Sequence, residues 1–101
     1  MANTAKVLFR GSATTTLTTT LYTTPSATTT VVTNIVVANT SSSSKTFTLS
    51  LDNVKIADAV TIFANSLVTF DVKQVLAATN TIKGGASTTD VTFHICGMEI
   101  A

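Results

Sequence analysis

The sequence predicts an all-β fold, a single antiparallel β-sandwich of immunoglobulin-like or jelly-roll-like type with about seven or eight short strands. Threonine, a β-branched residue that favours extended backbone, comes in runs through the first third of the chain. Apolar and polar residues then alternate in several short segments, as they do in half-buried strands. Clusters of turn-forming residues separate these segments at the short spacings of an antiparallel sandwich.

The length of the chain predicts one domain. Its 101 residues are enough for one hydrophobic core and too few for two. We therefore expect a single domain over residues 1–101. Residues 1–6 carry no core pattern, so we expect them to form a flexible N-terminal arm that orders on a neighbouring subunit.

The clearest strands lie in the later part of the chain. Residues 47–51 place a phenylalanine and two leucines on one face and threonine and serine on the other. Residues 68–72 and 91–95 repeat this alternation. Residues 31–37 are apolar on both faces, which is typical of a central strand or of a strand at an interface.

Other segments give weaker patterns. Val7 to Phe9 predicts a short first strand, and Leu17 with Leu21 and Tyr22 predicts a second whose remaining positions are threonine. Because proline cannot donate to a sheet, that second strand should end at Pro25. Residues 54–62 fit either two short strands or one strand with a bulge.

The connections are predicted from their turn residues. Asp52-Asn53 reads as a tight turn, as does the segment Gly84-Gly85-Ala86-Ser87. Residues 75–78 are expected to form one helical turn. Asn39-Thr40-Ser41 matches a glycosylation sequon and is interpreted as a loop.

The low charge of the chain narrows the classes of function. Charged residues make up 11%, against roughly 25% in an average soluble domain, so much of the surface must be neutral. The net charge is +1 and the basic residues are scattered, which argues against nucleic acid as a partner. The first ten residues lack the apolar core of a signal peptide, and no segment approaches the ~20 apolar residues of a membrane span.

Two residues near the C-terminus are the strongest candidates for chemistry. In an alternating strand, His94 and the single cysteine, Cys96, share the face that points away from the core. A thiol nucleophile with His94 as its base can be drawn, but no third group or oxyanion hole accompanies it. We therefore interpret His94 as a surface residue and Cys96 as an inert thiol, and expect no catalytic residue. Gly97 is expected to permit a bend or the close approach of a neighbouring backbone.

Metal, cofactor and ice-binding sites are not predicted. Asp52 and Asp58 lack the dense acidic loop of a calcium site, and Gly84-Gly85 lacks the lysine and helix of a phosphate loop. A threonine ladder that binds ice must repeat on several neighbouring strands. Here the runs are confined to two predicted strands and are interrupted by leucine and proline.

The chain as a whole, from about residue 17 onward, resembles small virion proteins of tailed bacteriophages. The resemblance lies in strand and turn segments: LYTTPS (21–26), TVVTNIVVANT (30–40), FTLSLD (47–52), ANSLVTFD (64–71), AATNTIKG (77–84) and VTFHICGMEI (91–100). It implies a β-sandwich in the virion, assembled in the bacterial cytoplasm, with no catalytic residues to carry over. His94 and Cys96 depart from the family pattern, in which small or apolar residues are usual.

The resemblance implies a capsid decoration or cement protein, or a neck accessory protein, that reinforces the particle. Its partners would be copies of itself, expected as a trimer, and other virion proteins such as the major capsid protein or neck and tail proteins. Thr15, Thr19, Tyr22, His94 and Cys96 are the candidate interface residues. The alternatives are a tail or baseplate module that binds host saccharide, disfavoured by the absence of tryptophan, and a thiol enzyme using Cys96.

Overall fold

The computed structural model describes residues 3–101 and arranges them as two antiparallel sheets packed face to face. The nine strands of this part of the chain are β1 (Asn3–Ser12), β2 (Thr20–Thr23), β3 (Thr29–Asn39), β4 (Lys45–Leu51), β5 (Val54–Ile62), β6 (Leu67–Phe70), β7 (Gln74–Leu76), β8 (Thr81–Ala86) and β9 (Val91–Ile100). The predicted all-β sandwich is confirmed.

The strand order is that of a jelly roll. Sheet A runs β1-β9-β3-β6, and sheet B runs β2-β8-β4-β5. Strand β7 also pairs with β3, beyond β6, so β6 and β7 occupy successive parts of one edge position. Counted by position, the sandwich has eight strands wound as two Greek keys.

The core lies between the two sheets and is built from their alternating inward side chains. Phe47 of β4 is at its centre, with its ring centroid 6.0 Å from that of Phe70 and 6.3 Å from that of Phe93. The two sheets are thus joined by aromatic contacts in addition to aliphatic packing. Further fully buried side chains come from both sheets: Val32, Ile35, Val37, Leu49, Ile62, Leu76, Ile82, Val91 and Ile95.

Several sequence predictions about local structure are confirmed. Strand β2 ends two residues before Pro25. Asp52 and Asn53 both have positive φ, 52° and 61°, and form the two-residue hairpin turn between β4 and β5. Strand β5 is one strand with two irregularities in its register with β4, and at the one near Thr48 the buried Thr48 hydroxyl accepts the Ala59 N–H at 3.1 Å.

Three predictions about local structure are wrong. The segment 14–19 is a loop, so the predicted threonine strand shrinks to β2. The predicted helical turn at 75–78 is replaced by β7, which pairs with β3. Gly84 and Gly85 lie inside β8 and not in a turn. Their lack of a side chain serves close packing, because a Cβ on Gly84 would lie 2.6 Å from both Leu49 Cδ2 and Thr48 O.

The first strand begins earlier in the chain than the sequence predicts. Strand β1 begins at Asn3, not at Val7, and its first residues pair with the end of β9, with Asn3 opposite Ile100 and Lys6 opposite Gly97. Residues 3–6 of the predicted arm therefore belong to sheet A. Met1 and Ala2 lie outside the described residues. No helix in the described range is long and apolar enough to cross a membrane.

Candidate interaction surface

The two faces of sheet A have different surroundings. Its inner face packs against sheet B, whereas within residues 3–101 no element covers its outer face. Seven large hydrophobic residues are exposed in the part of the chain that the structure describes, and three of them lie on this outer face, Val7 at 42%, Leu67 at 58% and Val75 at 66%. The others lie outside this face: Leu17, Val54, Ile56 and Phe63. An uncovered sheet face that carries exposed apolar side chains is a candidate contact surface.

The register of the strands arranges this outer face in rows. The row through Cys96 contains Val7 and Asn34, and the row through Met98 contains Ala5, Val31 and Val75. Two further rows complete the surface, in the order of the strands: Arg10, His94, Val36 and Thr69, then Ser12, Thr92, Ala38 and Leu67. We call these residues the outer face of sheet A.

Two of the predicted interface residues lie in the middle of this face. His94 and Cys96 are both partly exposed on β9, each between a β1 residue and a β3 residue. Their neighbours Phe93 and Ile95 are fully buried on the other side of the sheet. The prediction that His94 and Cys96 share the outward face is confirmed.

The arrangement gives little support for chemistry at these two residues. The Cα atoms of residues i and i+2 of a strand are about 6.7 Å apart, and a thiol and its base must be joined by a hydrogen bond. No hydrogen bond to either side chain is found in residues 3–101. Among those residues no cluster of three or more histidine, cysteine, aspartate or glutamate side chains is placed to hold a metal ion.

The threonine-rich loop, residues 13–19, covers the free edge of β8. The Thr14 and Thr19 carbonyl oxygens accept the Ala86 and Gly84 N–H groups, each at 2.9 Å. The Thr14 and Thr19 hydroxyls and the Thr16 carbonyl oxygen lie within 2.6 to 3.1 Å of one another. The loop therefore covers the part of the β8 edge that β2 leaves free, and it prevents that edge from pairing with another chain.

Thr15 and Thr19, two of the predicted interface residues, have different surroundings in this loop. The Thr19 hydroxyl belongs to the loop's own hydrogen-bond cluster, whereas Thr15 is exposed. We expect Thr19→Val to lower the free energy of unfolding by about 1 kcal/mol because the hydroxyl contacts are lost. Thr15→Val, the matched control, should change it by less than about 0.5 kcal/mol. Urea unfolding of both variants measures the difference, and equal effects would show that the cluster does not stabilise the loop.

Tyr22, another predicted interface residue, joins the two sheets at one end of the sandwich. From β2 of sheet B, its hydroxyl reaches the Glu99 carboxylate on β9 and lies 2.8 Å from the Thr30 hydroxyl on β3. Lys6 Nζ is 3.3 Å from Glu99 Oε2. The structure thus places Tyr22 in a polar contact within the domain, with the Glu99 side chain only 15% exposed.

The ionisation of this cluster follows from these contacts. The hydrogen bond from Tyr22 holds the pKa of Glu99 below its usual value, and Lys6 acts in the same direction. Burial, followed by the neighbouring Glu99, raises the pKa of Tyr22. The pair is therefore held as a neutral phenol that donates to a carboxylate.

The stability of the domain should depend on pH through Glu99. Because its pKa is lower in the folded than in the unfolded chain, its contribution is present above the unfolded-state pKa and is lost as pH falls through the folded-state pKa. We expect Glu99→Gln to cost about 1 kcal/mol at pH 7. This difference from the wild type should shrink as the solution is acidified. Unfolding curves between pH 3 and pH 7 measure it, and a difference independent of pH would contradict the assignment.

A shallow groove lies at one corner of sheet A. It has a volume of about 610 Å³ and is lined by Ala38, Asn39, Thr40, Asn65, Ser66 and Leu67. These residues include neither an aromatic ring nor a titratable group. Because sugar-binding clefts usually present an aromatic platform, the lining does not favour the saccharide alternative.

Comparison with known proteins assigns no family to this chain. A scan against models of protein families finds no match to the chain, and a search of curated proteins finds no significant relative.

Sequence reasoning missed most of the outer face. Arg10, Val36 and Met98 were not among the predicted interface residues, although Arg10 and Val36 lie in the row of His94 and Met98 lies in the row next to that of Cys96. The signal that was available is the segment 31–37, which is apolar on both faces. Only the register of β1 and β9 on β3 shows which residues complete the surface.

Proposed function

We propose that this chain is a non-enzymatic structural protein of a tailed-bacteriophage particle, a capsid decoration or neck accessory protein that oligomerises and reinforces the particle. The observation that carries the proposal is the outer face of sheet A, a broad and nearly uncharged sheet surface with exposed valine and leucine. Such a surface is suited to lasting contact with protein, because neutral hydroxyl and apolar groups are less costly to remove from water than charges.

Two further features support the proposal. The whole-chain resemblance to phage virion proteins is one. The jelly-roll order of the strands is the other, since this architecture occurs in viral capsid domains, although it also occurs in lectins and does not by itself define a function. A particle that presents many symmetric copies of a binding site would strengthen modest individual contacts through multivalency.

The proposal is tested with particles assembled without this chain. Purified protein should bind them saturably, at a stoichiometry set by particle symmetry, and raise the temperature at which they release DNA. Val36→Lys, which places a charge in the middle of the outer face of sheet A, should weaken binding. Thr61→Lys, at an exposed position on β5 of sheet B, is the matched control. Failure of the wild-type protein to bind capsids, necks or tails would overturn the proposal.

A further inference from the structure

The outer face of sheet A carries charged residues at its two edges. Arg10 lies on β1, in the row of His94 and Val36. Asp71 follows β6 at the other edge, between Phe70 and Val72, which both pack against the core, so its side chain points to the outer side. The exposed Lys73 lies two residues further along the same edge. Between the two edges the rows hold apolar side chains, hydroxyls, the Asn34 amide and the His94 imidazole.

Arg10 and Asp71 can pair between two copies of this face. A twofold axis that lies between two such faces, parallel to the strands, keeps each row opposite the same row and exchanges the edges. Arg10 of one copy then faces Thr69 of the other. Asp71 of that copy lies one row further along, about 6.7 Å away, a distance that an arginine side chain can span. The symmetry produces this contact twice.

The apolar part of the face fits the same arrangement. In the row of Met98, the exposed Val75 at one edge would meet the small Ala5 at the other, and Met98 would meet Val31. A large side chain thus opposes a small one at the edges, which allows two twisted sheets to approach at the usual separation of about 10 Å.

The area of the face is sufficient for a specific dimer. Four strands abreast at about 4.8 Å and ten residues at about 3.3 Å give roughly 600 Å² per copy, or about 1,200 Å² in total. This is at the lower end of the size of specific protein interfaces, about 1,200 to 2,000 Å².

We propose that two copies of this chain pair face to face through the outer face of sheet A, with Arg10 of each copy bonded to Asp71 of the other. The pairing rests on the proposed function in that it takes the chain to act as an oligomer. It differs from the trimer expected from the sequence, because a twofold axis brings Arg10 of each copy to Asp71 of the other.

Sedimentation equilibrium of the full chain tests the pairing. The wild type should behave as a dimer at micromolar concentrations. Arg10→Asp and Asp71→Arg should each weaken the dimer by roughly tenfold or more, since each places like charges together twice. The double variant should recover most of the wild-type affinity. Lys55→Asp, at the exposed Lys55–Asp58 ion pair on β5, is the control and should leave the mass unchanged.

The outcomes separate this proposal from the proposed function. A wild-type monomer, a trimer, or a double variant no tighter than the single variants would overturn the pairing. A monomer that binds particles through the same face would show that a virion protein occupies it, leaving the proposed function intact. A dimer that binds no particle would support the pairing and contradict the proposed function.

Discussion

Replacement of Gly85 by alanine should lower the free energy of unfolding by about 3 kcal/mol and detach the threonine-rich loop from β8. A Cβ at this position would lie 2.3 Å from Thr16 O and 2.8 Å from Thr14 O. Both atoms belong to backbone, which cannot move aside as the end of a flexible side chain does, so either β8 or the loop must shift. Equilibrium unfolding in urea measures the loss of stability.

Gly11→Ala is the matched control. There the nearest atom to a new Cβ is in the Phe9 ring at 3.5 Å, an ordinary contact. We expect a change within about 0.5 kcal/mol. Amide hydrogen exchange locates the effect, because Gly84 and Ala86 donate to the loop and should lose protection only in the Gly85 variant. Equal stability of the two variants would contradict the close contact between loop and strand.

The second large effect is expected at Asn39, which is 2% exposed at the end of β3. Its side-chain amide nitrogen lies 2.9 Å from Ser43 O, 3.1 Å from Ile62 O and 3.3 Å from Phe63 O. Its Oδ1 accepts the Ser41 N–H at 2.9 Å. One side chain of sheet A thus holds the end of β5 in sheet B together with the loop that leads to β4.

We expect Asn39→Ala to cost about 3 kcal/mol, because buried carbonyl groups lose their donor. Asn39→Asp should cost more at pH 7, since a carboxylate would face those carbonyl oxygens with no N–H to donate. Burial and the carbonyls should raise the pKa of the introduced carboxyl. The loss of stability of the Asn39→Asp variant should therefore shrink as pH falls and the carboxyl becomes protonated.

Asn34 provides the control for Asn39. It lies on the same strand but is partly exposed on the outer face of sheet A, so Asn34→Ala should change stability by less than about 0.5 kcal/mol. Thermal unfolding of the four proteins at pH 4 and pH 7 makes the comparison. An Asn39→Asp variant as stable as the wild type at pH 7 would contradict the structural role of the amide. The burial of this amide also makes the sequon at Asn39 unsuitable for a glycan.

The strands predicted from the sequence were those with a buried side. Alternation in 47–51 and 91–95 reports directly on the core, because one face of each strand is buried by the opposite sheet. Threonine runs give no such information about which side chains are buried. Their preference for extended backbone is satisfied equally by a loop that bonds to the edge of a sheet, which is how residues 13–19 are used.

The errors at the glycines and at residues 75–78 have a common physical cause. Glycine predicts a turn when only local conformation is considered, but Gly84 and Gly85 are required by atoms of β4 and of the threonine-rich loop. Residues 75–78 show no strand alternation of their own, and β7 forms because β3 offers it a partner. Contacts between distant parts of the chain decided both cases.

The same limit applies to the candidate surface. His94 and Cys96 were placed on one face by alternation alone, because both belong to one strand. Arg10 and Asp71 join that face only through the pairing of β1 with β9 and of β6 with β3. The contact between Tyr22 and Glu99, 77 residues apart, was equally invisible. The sequence therefore indicated that a surface exists but not its extent.

The reactivity of Cys96 tests most directly whether the outer face of sheet A is a contact surface. As the single cysteine, partly exposed in the middle of that face, it reports on the face without ambiguity. We predict that its rate of alkylation by a maleimide falls as the chain is concentrated from nanomolar to micromolar, and falls further on assembled particles. A cysteine introduced at Thr61 in a Cys96→Ser background should react at one rate throughout. Equal reactivity of Cys96 in dilute, concentrated and assembled protein would contradict the assignment of the outer face of sheet A as the surface of contact.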